Sequence, residues 1–319
     1  MLNLAIYGLD IGGTKIETAI FDHELNMMKS WRIDTPTQNY QVFLDTVLKL
    51  VKQADDYTSE RGNIGIGMPG LITPDGRALS ANIPCVTGKY IEEDLATLLS
   101  RPIALENDTR CFALSEAISG AGKGHARVFG AIIGTGAAGG FCHNGQLEVT
   151  AQGFAGEYGH IPLPADIQAQ YQLPVLKCGC GLMACVESYI AGPGISRLYQ
   201  HFNGETITPK EWGIRLKQNE GDAQQVLACY LDILGATFAT LAKFLEPDVI
   251  VLGGGVSLVD EIVNNLSPAI EKYLFSGFRA PLLKRALHGD SSGVRGAALL
   301  GSTINDRTTV LSKSKASIY

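Results

Sequence analysis

The spacing of apolar and polar positions predicts a chain of alternating strands and helices. Asn3 to Leu9 is a nearly continuous apolar run, as in a buried strand. The turn Asp10-Ile11-Gly12-Gly13-Thr14-Lys15 follows, and Ile16 to Phe21 runs back out as a second strand. Between Tyr40 and Ala54, Val42, Phe43, Val47, Leu48 and Val51 recur at helical spacing. Asn63 to Met68 predicts a short strand ending at Pro69-Gly70. Pro102 to Leu105 predicts another, ending at Glu106-Asn107-Asp108, with a helix from Thr109 to Ile118.

The plan then starts again near Gly120. Val128 to Ile133 is an apolar strand, followed by Gly134-Thr135-Gly136-Ala137-Ala138-Gly139-Gly140, then Phe141-Cys142 and a turn at His143-Asn144-Gly145. Asp222 to Leu245 reads as a long helix. Asp248 to Leu252 reads as a buried strand running into Gly253-Gly254-Gly255, where a helical segment follows. Two halves that each open with strand, Gly-Thr turn, strand imply a duplicated α/β fold with a cleft between the copies. Ligands of such sheets sit at the carboxyl ends of strands. The expected domains are residues 1–119 and 120–319. The last helix, Val294 to Thr303, carries a Gly296-Ala297-Ala298 face suited to close packing back on the N-terminal domain.

Composition narrows the class. The 319 residues are 45% hydrophobic and 18% charged, enough for two domains each with a core. A net charge of -6 and the lack of any basic stretch argue against nucleic acid as a partner. No apolar run approaches the length expected of a membrane span. Thiols without a secretory signal point to the cytoplasm. Thr308 to Tyr319 is polar, with lysines and serines, and reads as a loose tail.

The most specific chemistry lies in Lys177-Cys178-Gly179-Cys180-Gly181-Leu182-Met183-Ala184-Cys185-Val186-Glu187, with Glu157-Tyr158-Gly159-His160 upstream. Cys178, Cys180, Cys185 and His160 make a complete Cys3His set for Zn2+, with no open position, as in structural rather than hydrolytic sites. Ordinary reduced thiols are the alternative. A disulfide is the poorer reading, because cysteines one residue apart bridge badly. Cys85, Cys111, Cys142 and Cys229 are scattered and read as buried single thiols. A metal in this loop would hold Glu157 and Glu187 in place to grip a small polar ligand.

The glycine turns supply candidate phosphate sites. Gly12, Gly13, Thr14 and Lys15 offer open amides, a hydroxyl and an ammonium, and Asp10 suits Mg2+ directly or through water. Gly134, Thr135 and Gly136 offer a second set, and Gly254 and Gly255 a third. Neither Gly-x-Gly-x-x-Gly nor the P-loop spacing is present. Any one turn alone also reads as a tight hairpin; three at strand ends are harder to explain that way. Asp108 at a strand end is equally a helix N-cap or a base taking a hydroxyl proton. Its ordinary pKa, about 3.9, leaves it ionised at neutral pH.

Taken in order, these motifs resemble the ROK family of sugar kinases, within the actin-like, hexokinase-type ATPases. They are Asp10 to Lys15, Gly65-Ile66-Gly67-Met68-Pro69-Gly70, Glu106 to Asp108, Gly134 to Gly136, Glu157 to His160, Cys178 to Glu187 and Gly253 to Gly255, covering about Leu4 to Leu300. The resemblance implies two duplicated actin-like, RNase H-like α/β domains and ATP-dependent phosphorylation of a sugar 6-hydroxyl. Within the family it lies nearest the members acting on N-acetyl-D-glucosamine, through stretches such as Cys111 to Ala117, Leu198 to His201 and Arg285 to Asp290. Asp108 matches the family's base. Gly70, Asn82, Asn107, Asp108, Glu157, His160 and Glu187 match its sugar contacts. Asp10, Gly12 to Lys15, Gly134 to Gly136, Gly139, Gly140, Gly254 and Gly255 match its nucleotide contacts, with Mg2+. His160, Cys178, Cys180 and Cys185 match its zinc ligands, and a homodimer is the family's expectation.

Two positions depart from the family pattern. Ala138 stands where glycine is usual in the phosphate turn, and Ala184 where glycine precedes the last cysteine. Each puts its local turn geometry in question. Competing functions are a kinase for glucose, mannose or N-acetylmannosamine, a sugar-binding protein without catalysis, and a sugar-responsive repressor. Asp108 argues against the second. The absence of room for a DNA-binding segment before Asp10, with the acidic charge, argues against the third. Closure of the cleft on both ligands is a further expectation.

Overall fold

The computed structural model describes residues 5–304. The expected loose tail, Thr308 to Tyr319, lies outside the described residues.

Along the chain the elements are β1 (Ile6–Ile11), β2 (Lys15–Phe21), β3 (Met27–Asp34), α1 (Tyr40–Thr58), β4 (Asn63–Met68), β5 (Leu71–Ile72) and β6 (Ala78–Leu79). Next come α2 (Ile91–Leu99), β7 (Ile103–Asn107), α3 (Asp108–Ile118), β8 (Arg127–Ile133), β9 (Ala137–His143) and β10 (Gln146–Leu147). The rest are α4 (Ala165–Tyr171), α5 (Glu187–Ile190), α6 (Gly192–Asn203), α7 (Pro209–Lys217), α8 (Gly221–Leu245), β11 (Val249–Gly253), α9 (Asp260–Glu271), β12 (Leu282–Arg285) and α10 (Ser292–Ser302). They divide into two units. Of the described residues, one comprises 5–118, 147–154 and 290–304, the other 119–146 and 155–289.

The first unit is built on a five-stranded sheet in the order β3-β2-β1-β4-β7. β1 runs antiparallel to β2 and parallel to β4, which runs parallel to β7. Alternation along β1 sends Tyr7, Leu9 and Ile11 into a core shared with α1, whose Phe43, Val47, Val51 and Ala54 are fully buried. The Asn39 side chain starts α1 by accepting the Val42 amide at 3.1 Å. Ile6 and Ala19, on the other face, pack with Val294 and Ala298 of α10. That helix lies directly on the strands because Gly65 has no side chain; a Cβ there would overlap the Ala297 carbonyl.

The second unit repeats the order: β10-β9-β8-β11-β12, with β8 antiparallel to β9 and parallel to β11. Its core is organised by α8. Tyr230 and Phe238 of that helix are buried, and Tyr158 stacks edge-on between Phe129 and Phe238. By length and composition α8 does reach a membrane span, contrary to the sequence expectation. Its apolar residues instead serve this core, with 67% of its most apolar window buried.

Candidate active site

In the first unit the residues gather at the carboxyl ends of β1, β4 and β7. Asp10 is not in a turn but still on β1, and the turn proper is Gly12 to Thr14, closed by the Gly12 amide on the Lys15 carbonyl at 2.8 Å. Thr35 holds this turn by donating its hydroxyl to the Gly12 carbonyl at 2.7 Å, a contact no sequence motif signalled. Asn82 lies against Gly13, its Cβ 3.1 Å from where a Gly13 Cβ would stand. Burial, then the Asp108 charge, pushes the Asp10 carboxyl up to about 7. Gly293, at the start of α10, leaves the room in which the Asp10 carboxylate sits.

At the end of β7, Asn107 takes the larger share of the capping expected of Asp108, whose own Oδ1 also accepts the Thr109 amide at 2.8 Å. Asn107 Oδ1 accepts the Thr109 amide at 2.8 Å and the Thr109 hydroxyl at 2.6 Å. Its Nδ2 donates to the Gly70 carbonyl at 2.8 Å. Gly70 has φ +110°, a conformation for glycine. Glu106 accepts the Asn107 amide at 2.9 Å and pairs with Arg110 at 3.0 Å, which fixes the backbone below Asp108. Burial raises the Asp108 carboxyl above its ordinary value. The first unit thus brings Asp10, Gly13, Gly70, Asn82, Asn107 and Asp108 together.

In the second unit the turn between β8 and β9 is Gly134-Thr135-Gly136, closed by the Gly134 amide on the Gly136 carbonyl at 2.8 Å. Gly139 and Gly140 are not in it. They lie in β9 opposite Ala131 and Gly130, and the Gly139 amide bonds to the Gly156 carbonyl. Ala138 is likewise a strand residue with no positive φ, so its side chain costs nothing there. Gly254, with φ +78°, follows β11, and Gly255 opens a short 3-10 turn ahead of α9. Gly134, Thr135 and Gly255 line a cavity of about 1060 Å³ whose other walls include Gly192, Thr208 and Lys217. The α6–α7 walls include the Gly192-Pro193 start of α6, and periodicity alone gave no sign of their role.

Beside this turn lies the cysteine loop. The ligand atoms of His160, Cys178, Cys180 and Cys185 are all within 4.8 Å of one another. Cys180 Sγ and Cys185 Sγ are 3.6 Å apart, and Cys178 Sγ and His160 Nδ1 are 3.7 Å apart. A tetrahedral zinc with bonds of about 2.3 Å to sulfur has edges of roughly 3.8 Å; the Cys180–Cys185 and Cys178–His160 separations match that edge, and the donor set is compatible with the ion. Burial, then the sulfurs of Cys180 and Cys178, pushes the Cys185 thiol up to about 12, a penalty that a bound cation removes. Glu157 Oε2 faces His160 Nε2 at 3.6 Å, so the imidazole presents Nδ1 to the sulfurs and Nε2 to the carboxylate. Glu187 Oε2 accepts the Ala137 amide at 2.9 Å. Ala184 takes φ +55°, the left-handed conformation usually filled by glycine.

Residues 6–304 match the ROK family. The chain belongs to that family. It is 47% identical over 295 residues to an N-acetylgalactosamine kinase of Shewanella sp. (strain ANA-3), covering 92% of this chain and 96% of that one. It is 39% identical over 301 residues to the N-acetyl-D-glucosamine kinase of Salmonella typhimurium (strain LT2), covering 93% and 99%. Among solved structures, a ROK hexokinase from Thermus thermophilus superposes with a TM-score of 0.84 at 29% identity, over 95% of this chain and 99% of that one. The duplicated sheet order is therefore that of ROK sugar kinases.

Proposed function

We propose that this chain is an ATP-dependent kinase that phosphorylates the 6-hydroxyl of N-acetyl-D-glucosamine. The likeness to N-acetylhexosamine kinases over more than nine-tenths of the chain carries the reading. Asp108 takes the proton of the 6-hydroxyl as its oxygen attacks the γ-phosphorus; the bond to the bridging oxygen breaks and ADP leaves. Capping of α3 by Asn107 supports this role. The sugar contacts of this reading are Gly70, Asn82, Asn107, Asp108, Glu157, His160 and Glu187.

The turns at Gly12 to Lys15 and Gly134 to Gly136 present amides to phosphates, and the cavity beside Gly255 takes the nucleoside. Gly254, the residue before Gly255, is assigned to the same nucleotide site. Gly139 and Gly140, in β9 just past the Gly134 to Gly136 turn, are further nucleotide contacts in this reading. Asp10 supplies oxygen donors for Mg2+, and that ion, when bound, neutralises the charge developing on the phosphates. His160, Cys178, Cys180 and Cys185 hold a structural Zn2+, which keeps the loop carrying Glu187 in shape. The domains we infer are an N-terminal one bearing Asp108 and a C-terminal one bearing the zinc loop. The setting is the cytoplasm, where ATP and reduced thiols are at hand. A homodimer completes the reading. The exposed ring pair Phe275–Phe278 offers apolar surface for it, and sedimentation tests it.

The second reading is N-acetyl-D-galactosamine, which differs only in the configuration at carbon 4. The higher identity of the N-acetylgalactosamine kinase favours it. Steady-state kinetics with both amino sugars, glucose and N-acetylmannosamine tests the assignment. The first reading requires the highest kcat/KM on N-acetyl-D-glucosamine. A higher value on the galacto epimer moves the assignment to it, and preference for glucose overturns both.

A further inference from the structure

Glu187 is tied to the nucleotide turn in a way that a sugar contact does not require. Its Oε2 accepts the Ala137 amide at 2.9 Å, at the downstream end of Gly134-Thr135-Gly136. The same oxygen lies 2.8 Å from where a Cβ on Gly136 would stand, so the carboxylate lies against the turn itself. Its other oxygen, Oε1, is 3.9 Å from Cys178 Sγ. Just past the short helix that Glu187 opens, the Gly192 amide donates to the Gly134 carbonyl at 2.7 Å. Both ends of the turn are therefore held by one six-residue stretch, Glu187 to Gly192, which begins two residues after Cys185.

We propose that Glu187 is a positioning residue for the Gly134–Gly136 turn, so that one carboxylate serves both substrates. The proposal rests on reading Glu187 as a sugar contact and the turn as a phosphate grip. Turn amides converge on a phosphate in only one arrangement. A charge-assisted bond from a fixed carboxylate holds that arrangement before the nucleotide arrives, which lowers the ordering cost of binding. A sugar hydroxyl donating to Glu187 steadies the same carboxylate, and linkage makes the effect reciprocal. A residue that only holds sugar has no effect on nucleotide affinity when sugar is absent.

The test is calorimetric titration of the full-length, zinc-loaded protein with Mg2+ and a non-hydrolysable ATP analogue, without sugar. Glu187→Ala is expected to weaken the analogue about tenfold, the worth of one hydrogen bond to a charged group. Glu187→Gln keeps an acceptor for the Ala137 amide and the shape of the side chain, so it weakens the analogue less, in the same direction. Its thermal midpoint should match the parent, which separates positioning from unfolding. A normal parent beside variants whose analogue Kd stays within twofold of it overturns this inference alone. A parent that binds no analogue overturns the kinase reading and this inference with it.

Discussion

Asn107 Oδ1 and Asp108 Oδ1 lie at the same distance, 2.8 Å, from the Thr109 amide nitrogen. The start of α3 is thus served by two neighbouring side chains, and Asn107 also takes the Thr109 hydroxyl and ties back to Gly70. Asp108 is consequently held in orientation without being needed as the sole cap. That is the arrangement a positioned base requires.

Replacing Asp108 by asparagine keeps the size of the side chain and removes the base. We expect kcat to fall by roughly 10²–10⁴, with the sugar Kd nearly unchanged. Rapid-quench turnover and calorimetric sugar titration measure the two separately. A kcat within a few-fold of the parent shows that another group takes the proton.

Asp10 gives a pH signature in ligand-free, metal-free protein. Its carboxyl is raised from 3.8 to about 7 by burial and by Asp108. Below 3.8 both folded and unfolded forms hold the proton, and Asp10 carries no penalty. Between 3.8 and about 7 the unfolded chain ionises first, so stability is lost as pH rises through this window. Asp10→Asn should therefore be more stable than the parent above pH 7 in denaturant melts, and equal to it near pH 3. Parallel pH profiles of the two proteins count against a buried, raised Asp10.

The left-handed Ala184 stores backbone strain in the cysteine loop. Ala184→Gly relieves about 1 kcal/mol of it, less whatever the freer unfolded chain takes back. The expected outcome is a thermal midpoint equal to or above the parent's, by no more than a few degrees, with zinc content unchanged. A clear drop in midpoint means that Ala184 contributes packing that outweighs its φ.

One zinc per chain should be found by elemental analysis of protein purified in metal-free buffer, and Cys180→Ser should lower it. The donor set is full, so removal of the ion should raise the sugar KM and lower the thermal midpoint rather than abolish bond-making. Full activity and an unchanged midpoint after complete chelation would reject a structural role.

Much of the fold was readable because its signals are local. Apolar runs between glycine turns marked β1, β4, β8 and β11, and the helical period marked α1. β3 escaped because, as Met27–Asp34, it is an edge strand with mostly exposed side chains and an apolar alternation confined to Trp31 and Ile33. The predicted bounds of α10 were late by two residues at its start and one at its end, as helix ends often are. The zinc group was legible because its four donors are unusual residues at close spacing, and the structure gathers them within 4.8 Å. Thr35 and Gly293 were not. Each acts through a contact with a residue distant in sequence, Gly12 and Asp10 respectively, and nothing in their neighbours announces it. Gly139 and Gly140 show the reverse fault. A run of glycines extended the predicted phosphate turn into what is strand, because glycine marks permissive backbone without saying where the ladder ends.

The central claim is phosphoryl transfer from ATP to the 6-hydroxyl of an N-acetylhexosamine. The most direct measurement is ADP release with Mg2+ and ATP, run with N-acetyl-D-glucosamine, its galacto epimer and the 6-deoxy analogue of each, with the product identified by phosphorus-coupled NMR. The account predicts one ADP per sugar 6-phosphate with the parent sugars and no sugar-dependent release with the 6-deoxy analogues. Release that is the same with 6-deoxy sugars, or phosphate found on another carbon, would contradict it.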